Sequence, residues 1–221
     1  MIAQIAAAGQ RLQTFRALRN RNFRWLWFGS TAQSMAQGMQ FLILVWLVLD
    51  LTEDSASKAG LVIFLYGIPN MSFMVFGGIF ADRIHRLKLL TTCQALVALL
   101  VIALASLEMT GRVEVWHVYA TAFVLGTVQA FNMPARMAVV ADLVDRADLM
   151  NAVSLNSAVM NTGRIIGPAM GGAIIKLAGL GPALSVNAGC YFLGIVCLFF
   201  IRGISRQGKA RKETRKETIA G

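Results

Sequence analysis

The residues with chemistry to offer in this chain are polar side chains set inside apolar stretches. Ser30, Gln33, Gln37 and Gln40 recur at intervals of three and four, the spacing that stacks side chains on one face of a helix. Gln129, Asn132 and Arg136 repeat the pattern, and Ser157, Asn161 and Arg164 do so a third time. Such rows offer hydrogen-bond donors and acceptors plus a guanidinium. That chemistry suits either the holding of a polar small molecule or the joining of one helix to another. Catalysis calls for other residues. No nucleophile–base set, phosphate-binding loop or metal-ligand cluster is present, and His85 and His117 stand apart from other reactive groups. Cys93, Cys190 and Cys197 fall in apolar runs without metal or redox spacing. Neither enzyme activity, a metal nor a cofactor is therefore expected.

The elements that must position these rows follow from composition. The 221 residues are 57% hydrophobic and 14% charged, where a soluble domain carries about 25% charged residues. The apolar residues gather into six stretches, at 25–49, 60–81, 89–109, 116–138, 153–177 and 182–201. Each is about as long as a helix crossing a hydrocarbon core of about 30 Å must be. Spanning strands would instead alternate over about ten residues. The expected fold is therefore an all-α membrane protein of six transmembrane helices. It would have a basic segment at 1–24, a bundle at 25–201 and a basic tail at 202–221. The third stretch is almost uniformly apolar from Ala95 to Leu107 and the sixth nearly so apart from Asn187, and both suit helices that face lipid.

Charge gives the orientation. The net charge is +10, but the basic residues flank apolar stretches and do not form a groove with interleaved aromatics, so nucleic acid is not the expected partner. Of the 21 Lys and Arg residues, only Lys58, Arg112 and Lys176 fall in the loops assigned to one side. Apart from Arg164, within the fifth stretch, the rest fall on the other side, with Arg136 and Arg146 assigned to the fourth loop. Positive charge accumulates on the cytoplasmic side. Both termini are accordingly placed in the cytoplasm, with the lipid bilayer of the inner membrane as the first partner.

Two motifs narrow the fold further. The second inner loop reads Gly78-Ile79-Phe80-Ala81-Asp82-Arg83-Ile84-His85-Arg86-Leu87-Lys88. It resembles the signature loop between the second and third helices of the major facilitator superfamily, with His85 standing where the pattern has Gly. The fifth stretch contains Gly163-Arg164-Ile165-Ile166-Gly167-Pro168, followed by Gly171 and Gly172. This is similar to the exporter-associated motif of that superfamily. Glycines at every fourth position make a smooth face for close helix packing, and Pro168 removes a backbone donor where the helix can bend. The series Pro134-Ala135-Arg136, Asp142-Leu143-Val144 and Asn151-Ala152-Val153-Ser154-Leu155-Asn156 resembles the enterobactin-exporter-like and multidrug efflux branch.

The resemblance implies an amino-terminal half of a twelve-helix transporter, built as a 3+3 inverted repeat. It implies a small-molecule substrate held at the midplane between two halves, with export, by proton antiport, of lipophilic or siderophore-like compounds. Gln33, Gln37, Gln40, Gln129, Asn132, Ser157, Asn161 and Arg164 are the expected cavity residues. Gly78, Asp82, Arg83, Arg86 and Arg136 are the expected latch, with Asp82 approaching Arg136. Gly163, Gly167, Pro168, Gly171 and Gly172 are the expected packing face. The other half would come from a second chain, a second copy or the rest of a longer product, truncation being the favoured explanation. An uptake carrier of the same superfamily and a non-transporting membrane scaffold are the alternative readings.

Overall fold

A computed structural model describes residues 16–83 and 85–201; of residues 75 and 77–83 it describes the backbone alone. The expected segment 1–24 is thus described only from Arg16, and the tail 202–221 lies outside the described residues.

A short 3-10 helix at Arg16–Arg19 precedes six long helices: α1 (Arg21–Leu51), α2 (Ala56–Arg83), α3 (Arg86–Met109), α4 (Val115–Leu143), α5 (Leu149–Ala178) and α6 (Leu180–Phe199). Most outrun the apolar stretches that announce them, because polar caps extend the hydrogen-bonded backbone beyond the apolar core. Asn20 caps α1 by accepting from the backbone N–H groups of Asn22 and Phe23. Its amide nitrogen also donates to the Leu143 carbonyl at 2.6 Å, which ties the start of α1 to the end of α4. Glu114 and His117 form a reciprocal capping box at the start of α4. His117 is therefore a first-turn helical residue. The α5–α6 connection is Gly179 alone, at φ 90°, a conformation that strains any side chain.

Among the described residues three helices, α1, α3 and α6, are long and apolar enough to cross a membrane by length and composition. The others are comparably long, but α4 and α5 interleave polar residues with apolar ones. Large apolar side chains remain exposed along the bundle, among them Phe64, Met71, Leu99, Ile165 and Phe192. Exposed apolar area on that scale fits lipid as the solvent. Trp25 stacks on Phe200 at one end of the bundle, and Trp116 donates to Glu114 at the other, the positions favoured by amphipathic rings at a membrane interface.

The packing has an internal symmetry. α1 lies against α5 as α4 lies against α2, and α1 meets α6 as α4 meets α3. Exchanging α1–α3 for α4–α6 therefore reproduces the pattern. Gln33 meets Asn132 while Gln37 meets Gln129, so partner numbers fall as α1 rises and the two leading helices run antiparallel. The exchange is that of an inverted repeat.

The two strongest crossings use the same device. A Cβ added at Gly38 of α1 would overlap the Gly163 carbonyl and lie 2.9 Å from Pro168 of α5. A Cβ added at Gly126 of α4 would overlap the Tyr66 carbonyl and lie 3.0 Å from Pro69 of α2. Each leading helix thus presents a glycine to a proline-bearing helix of the other repeat. Gly167 and Gly171 continue the first crossing against Met35, Gly38 and Met39, whereas Gly172 meets Leu42 at an ordinary 3.5 Å.

Candidate functional site

Buried apolar residues form two clusters. One surrounds Met39, Ile43, Val97, Leu104, Val118 and Leu184. The other, near the start of α1, surrounds Phe23, Leu26, Leu90, Val139 and Leu143. Between them lies a layer of buried amides and one guanidinium. The cleft opens on the first cluster's side of that layer.

Gln33, at the middle of α1, is the hub. Its side-chain oxygen accepts from Arg136 Nη2 and from Gln94 Nε2. Its own Nε2 faces Asn132 Oδ1 at 3.4 Å, and Arg136 Nη2 reaches the same oxygen at 3.4 Å. A turn further along α1, Gln37 Nε2 donates to Gln129 Oε1 at 3.0 Å. A further turn along, Tyr191 of α6 donates its hydroxyl to Gln40 Oε1 at 2.6 Å. Below the cleft Asn187 donates to the Ala36 carbonyl at 2.6 Å, which fixes α6 to α1.

These amides form one wall of a cleft enclosing about 480 Å³ of empty space, its open mouth included. Gln33, Gln37, Gln40, Gln129 and Asn132 supply the polar wall. Phe41, Leu44, Val62, Val97 and Leu125 supply the apolar one, with Tyr66 and Tyr191 between. A pocket with few placed polar groups on a mostly apolar lining is the usual form of a small-molecule site.

The structure thus brings together the rows expected on α1 and α4. It does not bring in the third row. Ser157 is half-buried, while Asn161 and Arg164 are exposed on α5. The reason is rotation: Gly163, Gly167 and Gly171 face α1, which turns the Arg164 side outward. Arg164 nevertheless lies within electrostatic reach of Tyr66, which lines the cleft.

Arg136 belongs with its row on α4, as its spacing implied, and not with the fourth loop to which the charge reading assigned it: it sits inside the helix, 2% exposed, about 10 Å of helix before Leu143. Its described partners are amides of the buried layer; the expected approach of Asp82 lies outside the described side chains. The side chains of Gly78, Asp82 and Arg83 lie outside the described residues. Of the residues expected in the latch, Arg86 is described: its Nη1 meets Asp142 Oδ1 at 2.8 Å and so joins the start of α3 to the end of α4. Arg16 pairs with Asp148 at 3.0 Å, and Asn151 accepts from the Ala17 backbone. These contacts hold the lead-in segment against the α4–α5 turn.

Three contributors were not among the expected cavity residues. Gln94 and Tyr191 come from α3 and α6, the helices whose uniform apolar character suggested lipid contact. Tyr66 comes from α2. Tyr191 stands one turn from Asn187 and Tyr66 one turn from Asn70, but two residues make too short a row to stand out as a stripe. Gln94, just ahead of an apolar run, is the one an inspection of isolated intramembrane amides would find.

A helical bundle with apolar exposed faces, an internal repeat and a mixed polar cleft is the construction of a membrane transporter. Residues 12–221 match the transmembrane secretion effector family, and the chain belongs to that family of major facilitator superfamily transporters, which are integral membrane proteins. It is 30% identical over 157 residues to the staphyloferrin A transporter of Staphylococcus aureus, covering 69% of this chain and 39% of that protein. It is 27% identical over 199 residues to the multidrug efflux pump Tap of Mycolicibacterium fortuitum, covering 88% and 48%. It is 22% identical over 173 residues to the enterobactin exporter EntS of Shigella boydii, covering 78% and 42%. The chain spans less than half the length of the curated relatives it matches.

Proposed function

We propose that this chain forms the amino-terminal half of an exporter for small lipophilic or siderophore-like compounds. All six helices would span the inner membrane, with both termini in the cytoplasm. The observation that carries the reading is the cleft in which the amides of α1 and α4 face an apolar wall. An amphiphilic lining of this kind matches compounds that combine ring or alkyl surface with hydrogen-bonding groups. The named relatives, two associated with siderophores and one with multidrug efflux, support the same class.

A second six-helix half, from a longer product, another chain or a second copy, would close the open side of the cleft and place the substrate at the midplane. Export by proton antiport would need an intramembrane carboxylate of raised pKa. The described carboxylates, such as Asp50, Glu108, Glu114 and Asp142, lie at or near helix ends. The coupling group therefore belongs to the other half in this reading.

The test is whole-cell accumulation of a fluorescent lipophilic substrate and of a labelled siderophore, in cells producing the complete transporter. Export predicts reduced accumulation relative to cells without it. It also predicts restored accumulation for Gln37→Leu with unchanged membrane levels. Increased uptake would identify a carrier of opposite direction, and no change with either compound would favour a scaffold. Cysteine labelling of residues 202–221 from outside intact cells would sink the assigned orientation.

A further inference from the structure

The hydrogen bonds of the buried layer have a direction. A guanidinium can only donate. Arg136 therefore turns the Gln33 oxygen toward itself, and Gln94 Nε2 donates to that same oxygen. The Gln33 NH₂ is left to face Asn132, whose oxygen accepts from both Gln33 and Arg136. Asn132 must then turn its own NH₂ away from them. On the next turns Gln129 accepts through its oxygen from Gln37, and Gln40 accepts through its oxygen from Tyr191. The NH₂ groups of Gln129 and Gln40 are thus left over as well. The Gln40 Nε2 is buried and has no partner, in a residue that lines the cleft and is 6% exposed. Behind this row stands a positive charge whose described hydrogen-bond partners are amide oxygens and not carboxylates.

We propose that Arg136 is a specificity-determining residue. It orients Gln33 and Asn132 and sets a positive field behind a cleft where the spare NH₂ groups of Gln40, Gln129 and Asn132 outnumber the one spare amide oxygen, that of Gln37, and the site selects acceptor-rich, anionic ligands over cationic ones. This inference rests on the cleft being the substrate site. Carboxylate, phenolate or hydroxamate oxygens would take the spare NH₂ groups of Gln40, Gln129 and Asn132. An ammonium would find the Gln37 oxygen as the one spare amide acceptor, with the field of the guanidinium against it. A bond from an amide to an anion is about twice as strong as a neutral one, and a buried guanidinium with no carboxylate partner among the described residues adds long-range attraction in a medium of low dielectric. Arg136 acts through Gln33 and Asn132 and need not touch the ligand.

The test uses two probes with the same ring and opposite head groups, 2-naphthoate and 2-naphthylmethylammonium. Each is titrated into the purified complete transporter in lipid nanodiscs, with binding followed by ligand fluorescence. The wild type should bind the carboxylate at least about tenfold more tightly than the ammonium, the difference expected of one charge-assisted hydrogen bond. Arg136→Gln should bring the ratio close to one. Gln40→Leu, which leaves Arg136 in place, should weaken the carboxylate several-fold and leave the ammonium unchanged. It carries the test if Arg136→Gln does not assemble, as judged by gel filtration and circular dichroism. Equal binding of both probes by wild type would overturn the inference while leaving the cleft as a ligand site. So would an unchanged ratio in Gln40→Leu. Binding of neither probe would overturn the cleft as the site, and the inference with it.

Discussion

α1 has two working faces, and they are built in opposite ways. Toward α5 it offers Gly38, with Ser34, Met35 and Met39 beside it, and the two backbones come so close that a single methyl group has nowhere to go. Toward α4 it offers Gln33, Gln37 and Gln40, and the helices stand apart around a cleft. In lipid no hydrophobic force drives helices together, so close approach and interhelical hydrogen bonds must supply the attraction. The dry face provides the first and fixes the rotation of α1. The polar face can then leave hydrogen-bonding groups unsatisfied, because the fold does not depend on it alone.

The largest expected effects lie on the dry face. Gly167→Leu should prevent assembly or abolish transport, since even its Cβ would lie 2.6 Å from the Met35 carbonyl. Overpacking of this kind costs about 3 kcal/mol or more where backbone is the obstacle. Loss of the monodisperse peak in detergent would register it, and normal transport would refute the crossing. Gly126→Ala should be nearly as damaging as Gly38→Ala, because the two crossings are related by the internal repeat. Melting temperatures differing by more than about 8 °C, the shift about 2 kcal/mol gives in a chain of this size, would break that equivalence.

On the polar side the effects should fall on function more than on folding. Arg164→Ala should insert normally yet lose transport in the complete transporter, and Arg164→Lys should restore little if a bidentate contact is made. Unchanged transport at equal membrane levels would remove Arg164 from the mechanism and confine the site to α1 and α4. The partly exposed Arg86–Asp142 pair should contribute about 1 kcal/mol or less, so Asp142→Asn should lower the melting temperature by only a few degrees. A double-mutant cycle with Arg86→Gln checks it. Smallest of all is Gly60→Ala. A Cβ there meets nothing within 4 Å, and the change should be neutral or stabilise α2 by about 0.5 kcal/mol through helix propensity.

How much of this was legible beforehand differs from residue to residue. Gln33, Gln37, Gln40, Gln129 and Asn132 could be grouped from spacing, because intramembrane amides are costly and gather where they can be satisfied. Gln94 and Tyr191 carry a weaker signal: Tyr191 shares its face with Asn187 alone, and Gln94 has no second amide on its helix. Arg136 was assigned to a loop because a basic residue near the end of an apolar stretch ordinarily belongs there. Leu143 rather than Ala138 ends the helix, and that difference takes Arg136 from the interface into the core.

By itself the sequence determined the number and length of the apolar stretches, the glycine-proline face of α5 and the polar rows on three helices. These are properties of one segment at a time, fixed by the helical period and by the cost of polar groups in lipid. Only the tertiary structure decided which rows meet. The α1 and α4 rows converge, while the α5 row turns outward, because the rotation of α5 is set by where its glycines fit against α1. Periodicity says which side chains share a face. It does not say what stands opposite, and that depends on close contacts between helices far apart in the chain.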